Sequence, residues 1–221
     1  MLEVLYEDNH IIAINKKSGD IVQGDKTGDA PLSDFVKAYI KKKYNKPGEV
    51  FLGTIHRLDR PTSGVVLYAR TSKALTRMNE QFREKQVQKT YWAVVENAPA
   101  NDSGTLENYL LKNQKQNKSY VTKVADGKHA VLDFKLLNKL DNFYHLEIKP
   151  KTGRHHQIRV QLAHIGCIIK GDLKYGAKRS NKDASIHLLA QKLEFLHPVK
   201  KEPITIIAPA PKDSIWEACK L

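Results

Sequence analysis

Apolar and polar positions change period several times along the chain, and each change marks a predicted element. Leu2 to Tyr6 and His10 to Asn15 are short β-prone runs split by Glu7-Asp8-Asn9, which predicts a hairpin. Leu32, Phe35, Val36, Tyr39 and Ile40 then recur at helical spacing, so Pro31 to about Lys43 reads as an amphipathic helix opened by proline. The unbroken run Val65 to Ala69 predicts a buried strand, and Thr71-Ser72 caps a second helix to about Glu84, with Leu75, Met78 and Phe82 on its buried side. Thr90 to Val95 is strongly β-prone. Tyr120 to Val124, Ala130 to Leu137 and Phe143 to Ile148 follow as strands, and the short turns between them favour antiparallel pairing. After the Thr152-Gly153 turn a helix is expected to about Ile165, facing Ile158, Leu162 and Ile165 inward. Ile168-Ile169 opens a short strand and a glycine-punctuated loop. Ile186 to Phe195 is another strand, Ile204 to Ile207 an edge strand, and Trp216 an anchor for the tail.

Composition narrows the class. A chain of 221 residues can bury a substantial core, and 41% apolar with 28% charged residues is ordinary for a globular domain. No apolar run is long enough to span a bilayer, and the N-terminus lacks the basic-then-apolar order of a secretory signal. Cys167 and Cys219 stand alone, so no disulfide framework or zinc site is indicated, and a reducing, cytoplasmic setting is the default expectation. The charge is more pointed: 37 Lys and Arg against 24 Asp and Glu leave a surplus of +13. That surplus favours a polyanion, most often nucleic acid. Membrane attachment competes poorly, because no helix is both strongly apolar on one face and basic on the other.

Candidate chemistry concentrates in two stretches. Ile55-His56-Arg57-Leu58-Asp59-Arg60-Pro61-Thr62-Ser63-Gly64 places one carboxylate between two guanidiniums beside an imidazole, in a loop shaped by Pro61 and Gly64 and leading into a rigid strand. Arg57 and Arg60 are expected to keep Asp59 ionised. An isolated Asp in such a setting is usually a surface ion pair, so the assignment depends on partners elsewhere. Ser63 does not sit in a Gly-x-Ser-x-Gly elbow. The second stretch is Lys151-Thr152-Gly153-Arg154-His155-His156-Gln157-Ile158-Arg159-Val160, where Arg159 lies about one helical turn from the histidines. No further ligand at metal spacing accompanies them, which disfavours a metal site. Lys112 to Lys118 is a polar, basic loop, and no phosphate-binding glycine loop is present.

His56-Arg57-Leu58-Asp59-Arg60-Pro61-Thr62-Ser63-Gly64, Gln88-Lys89-Thr90-Tyr91 and Thr152-Gly153-Arg154-His155-His156-Gln157-Ile158-Arg159, in this order, closely resemble RNA pseudouridine synthases of the RluA type. Gly171-Asp172 with Tyr175-Gly176, and Ile186-His187-Leu188-Leu189-Ala190, are similar to later motifs of that family, and the likeness spans essentially the whole chain. Gln161 stands where the family more often has His. The resemblance implies an α+β fold, a single catalytic domain over residues 1–221 with a long, mixed and largely antiparallel sheet flanked by helices and loops around a basic cleft. No separate N-terminal RNA-binding domain is expected. It implies isomerisation of uridine to pseudouridine in ribosomal or transfer RNA, with the base flipped out, no cofactor, no metal, no required protein partner and a monomeric state. Asp59 would be the essential carboxylate, Tyr91 would stack on the base, and Arg159 would pair with Asp59. Arg57 would help fill the gap left by the extruded nucleotide, and Arg60, Lys89, Arg154 and His155 would contact RNA. From the residues alone, a non-catalytic RNA-binding protein in which Asp59 only holds its loop, and an RNA nuclease, stay open.

Overall fold

Two of the runs that read as continuous apolar stretches, β2 (Ile11–Lys16) and β4 (Ser63–Ala69), form strands covered on both faces, and β4 is buried at every position. The computed structural model describes residues 2–24, 28–123 and 126–219. The chain divides into two compact units, Met1–Gln88 with Ala190–Pro209 and Lys89–Leu189 with Ala210–Leu221. The fold is α+β with a large mixed sheet.

In the first unit, β1 (Val4–Glu7) pairs antiparallel with β2, and β2 with β4 in the register Ile11↔Ala69 to Lys16↔Gly64. The short β3 (Gly53–Thr54) lies on the other side of β4, meeting it at Ala69 and Tyr68. Helix α1 (Leu32–Lys43) buries Leu32, Val36 and Ile40 against Ile12, Ile14, Val66 and Tyr68. Helix α2 (Ser72–Arg83) starts at Thr71, whose side chain accepts the Ala74 N–H, so the expected cap is present. Strand β10 (Leu188–Leu196), which begins in the second unit, pairs antiparallel with β11 (Pro203–Ile207).

The second unit is an antiparallel sheet in the order β5 (Gln88–Val95), β9 (Tyr144–Pro150), β8 (Lys128–Lys139), β6 (Ser103–Asn113) and β7 (Lys118–Thr122). Alternation along β8 sets which face it covers: Ala130, Leu132 and Phe134 point inward at period two. Helix α3 (Gln157–His164) packs Ile158 and Leu162 on that face with Leu132, Leu146 and Ile148. A short helix α4 (Ser214–Ala218) carries Trp216 into the interior, 3% exposed, as its anchor role requires.

Several expectations need correction. The helix expected from the Thr152-Gly153 turn begins only at Gln157. His156 stands in the left-handed region at φ 54°, and the Gln157 side chain ties the preceding loop by accepting from Thr152 Oγ1 and Arg154 N and donating to the Val131 carbonyl. Ile165, expected in the core, lies beyond the helix and is exposed. On α2, Leu75 and Phe82 are only half-buried, while Gln81 is buried because its amide exchanges hydrogen bonds with the backbone of Leu196. Ile169 makes a single bridge to Val95 rather than a strand, and Leu173–Tyr175 is a 3₁₀ turn. The Lys112–Lys118 loop shrinks to residues 114–117, because β6 runs to Asn113 and β7 starts at Lys118. Val124 and Ala125, assigned to a strand end and a turn, lie outside the described residues.

Candidate functional site

The Asp59 loop is built from the first unit outward. Leu58 packs into the core around α1, which leaves Asp59 half-buried and Arg57 exposed. Asp59 then turns the chain, its carbonyl accepting the Thr62 N–H at 3.0 Å, and the loop re-enters the sheet through buried Thr62 and Ser63. Gly64 has to be glycine: its φ is 114°, and an added Cβ would lie 2.3 Å from the Ala190 carbonyl oxygen. Beneath the turn lies Lys16, 0% exposed, whose ammonium donates to the carbonyls of Lys17, Arg60 and Thr62 at 3.0, 3.0 and 2.7 Å. Burial pushes the Lys16 amine down to about 8, while the nearby carboxylates of Asp20 and Asp59 hold it up. The loop carrying Asp59 is thus fixed by a buried cation bonded to backbone on the far side of the turn. Its near side is held by His56, whose Nε2 accepts the Leu67 N–H at 3.1 Å and whose ring stacks on Phe82.

In the second unit, Tyr91 lies on β5 opposite Ile148 of β9, half-buried against the core. Lys89, two residues earlier, extends towards the Thr152-Gly153 turn: an added Cβ on Gly153 would come 3.8 Å from its Nζ. Desolvation lowers the Lys89 pKa. Arg159 is 4% exposed and makes a two-point ion pair with Asp172, Nε and Nη2 each 2.7 Å from a carboxylate oxygen. Its guanidinium also lies over the Tyr175 ring at 5.1 Å. Tyr175 accepts the Ser119 N–H and sits 2.9 Å from His156 Nδ1. Burial, and secondarily the Arg159 charge, hold the His156 ring far below the usual imidazole range, which keeps it neutral. His155 stacks on His156 at 3.8 Å between ring centroids, with Nδ1 2.8 Å from Ser119 Oγ and Nε2 3.1 Å from Asn117 Oδ1, which clips the β6–β7 turn to the start of α3.

The residues expected to contact RNA divide by position. Arg57 and Arg60 are exposed in the first unit, where Arg60 pairs with Asp29 at 2.8 Å. Arg154 is exposed in the second unit, its Nε donating to the His129 carbonyl, while Lys89 and His155 are half-buried. Within that unit the fold gathers Lys89, Arg154, His155 and Arg159 around the Thr152–Gln157 loop. Sequence reading missed Lys16, His56 and Asp172 as working parts. Lys16 looked like turn chemistry, His56 stood out as the imidazole beside Asp59 but was given no role, and Asp172 was part of a glycine motif. The one available signal was a lysine closing an otherwise apolar strand. Among the described residues, no group of three or more His, Cys, Asp or Glu side chains could hold a metal ion.

Comparison with known proteins agrees with the motifs. Residues 10–164 match the family described as RNA pseudouridylate synthase. The chain is 36% identical over 225 residues to ribosomal large subunit pseudouridine synthase D of Xylella fastidiosa, covering 96% of this chain and 67% of the relative. It is 34% identical over 212 residues to ribosomal large subunit pseudouridine synthase C of Vibrio vulnificus, covering 93% and 65%. The chain thus spans about two thirds of the length of these relatives. The fold matches human RNA pseudouridylate synthase domain containing 4 with a TM-score of 0.81 at 24% identity, over 97% of this chain and 90% of that one.

Proposed function

Since the chain belongs to the RNA pseudouridylate synthases of the RluA type, we propose that it isomerises uridines of ribosomal RNA, with Asp59 as the reacting carboxylate. The observation that carries the assignment is the Asp59 loop itself, a half-buried carboxylate at the mouth of a fully buried strand, in a loop whose backbone the Lys16 ammonium holds. Ribosomal RNA is chosen over transfer RNA because the curated relatives are named for the large ribosomal subunit. The whole chain is assigned to one catalytic domain.

The chemistry accounts for the residue types. The glycosidic bond must break, the base must turn while held, and the sugar must rejoin it through carbon. Atoms are conserved throughout, so the reaction needs no redox partner and no group donor. An ionised carboxylate serves either as nucleophile at the anomeric carbon or as base at the neighbouring sugar carbon. We assign Tyr91 to stacking on the flipped base, which offsets part of the cost of unstacking it, and Arg159 to the reacting centre as its fixed cation. Arg57, exposed beside Asp59, is suited to the gap in the RNA, and Arg60, Lys89, Arg154 and His155 to phosphates and bases.

The test is the Asp59→Asn protein, which keeps the shape of the side chain and removes its charge. Pseudouridine formation on ribosomal RNA transcribed in vitro should vanish while the thermal melt stays as in the parent. Turnover near that of the parent would sink the assignment.

A further inference from the structure

The geometry points to His56 as a positioning residue for Asp59, one that stands in for a backbone hydrogen-bond acceptor where the chain leaves the sheet. The inference rests on the assignment of Asp59 above.

Strand β3 meets β4 at only two positions, Gly53↔Ala69 and Thr54↔Tyr68. One residue further along β4, the N–H of Leu67 would meet a carbonyl if β3 continued. Leu67 is 0% exposed, and a buried strand N–H left without an acceptor is costly. The Nε2 of His56 takes that N–H at 3.1 Å. With the ladder satisfied by a side chain, the main chain from Arg57 to Thr62 is released to form the loop that carries Asp59. The ring cannot drift, because Phe82 of α2 stacks on it with centroids 5.2 Å apart and planes 21° from parallel. Asp59 is therefore suspended between two side-chain anchors, His56 before it and Lys16 after it.

The bond also fixes the state of the ring. Because the Leu67 N–H donates, Nε2 presents its lone pair, and the neutral ring carries its proton on Nδ1. Nε2 is thereby engaged with the backbone and is no proton source for the reaction. A proton on Nε2 would set donor against donor and undo the anchor.

Two variants of the full chain separate acceptor from ring. His56→Phe keeps a ring against Phe82 and removes the acceptor; His56→Gln removes the ring and offers a side-chain carbonyl. The readouts are deuterium exchange at the Leu67 amide without RNA, and kcat and KM on ribosomal RNA transcribed in vitro. His56→Phe should speed exchange at Leu67 and lower kcat by about 10²-fold with KM little changed, as expected for a displaced reacting group. His56→Gln should recover part of both. If the Phe variant does not fold, partial protection of Leu67 with partial kcat in the Gln variant still supports the acceptor role. Slow Leu67 exchange with parental kcat in His56→Phe would overturn it, and so would a loss confined to KM, which would make His56 an RNA contact. Failure of the Asp59 assignment is distinguishable, because it appears as turnover by Asp59→Asn and leaves the exchange readout untouched.

Discussion

At the scale of single residues, the clearest energetic statement concerns Arg159 and Asp172. Both are buried and joined by two charge-assisted hydrogen bonds. Removing Arg159 strands the Asp172 carboxylate in the interior. Arg159→Ala should therefore lower stability by about 3–5 kcal/mol, and Asp172→Ala should destabilise as well. The paired substitution should cost clearly less than the sum, a double-mutant cycle that denaturant melts can close. Asp172 lies 13 positions along the chain from Arg159 in a separate motif, and only the fold shows that these two meet. Tyr91 yields a different expectation. Stacking on a base needs the ring and is worth about 1–3 kcal/mol, so Tyr91→Phe should keep RNA affinity. The same variant should lose turnover if the hydroxyl helps remove the proton from the rotated base. Filter binding and single-turnover assays on one preparation check both, and weakened binding with intact turnover would contradict the role.

At the scale of elements, the second unit is closed by α4 docking onto β9 and the segment before β10. Trp216 stacks on His187 with ring centroids 5.4 Å apart and meets His145 edge-on at 6.2 Å. Asp213 caps the helix by accepting the Ile215 and Trp216 N–H groups, and its carboxylate lies 3.5 Å from His187 Nε2. Burial pushes the His145 ring down to about 4 and also lowers His187 despite Asp213. An unfolded chain, with histidines near 6.5, thus binds more protons than the folded one between these values. Stability from His145 is complete above pH 6.5 and is lost as pH falls towards 4, by up to about 3 kcal/mol. Urea melts at pH 7 and pH 4.5 should show the loss, and His145→Gln should reduce it, leaving the share of the other buried histidines, His156 and His187. An unchanged slope in that variant would remove His145 from the account.

At the scale of the molecule, the surplus of +13 charges sets the terms of RNA binding. Each phosphate neutralised releases counterions, so affinity should drop steeply between low and physiological salt. A dissociation constant nearly flat over that range, measured with ribosomal RNA, would deny the charge a direct role. No helix among the described residues is long and apolar enough to cross a membrane.

Much of this was legible in the order of residues. The alternation along β8, the apolar run of β4 and the cap at Thr71 each encode their element locally, because period and capping depend on neighbours in the chain. The loop bearing Asp59 was legible too, since Pro61 and Gly64 shape it from within. Helix α3 was misjudged at its start because a tertiary tie, the Gln157 amide on Val131, decides whether residues 152–156 wind or loop. The same reason hid Lys16, His56 and Asp172. Each works by satisfying a group brought near by folding: the Arg60 and Thr62 carbonyls, the Leu67 N–H and the Arg159 guanidinium. Local patterning determines which elements form and which residue types are on offer. Only the packed chain decides which buried donor or acceptor lacks a backbone partner, and hence which side chain has to supply one.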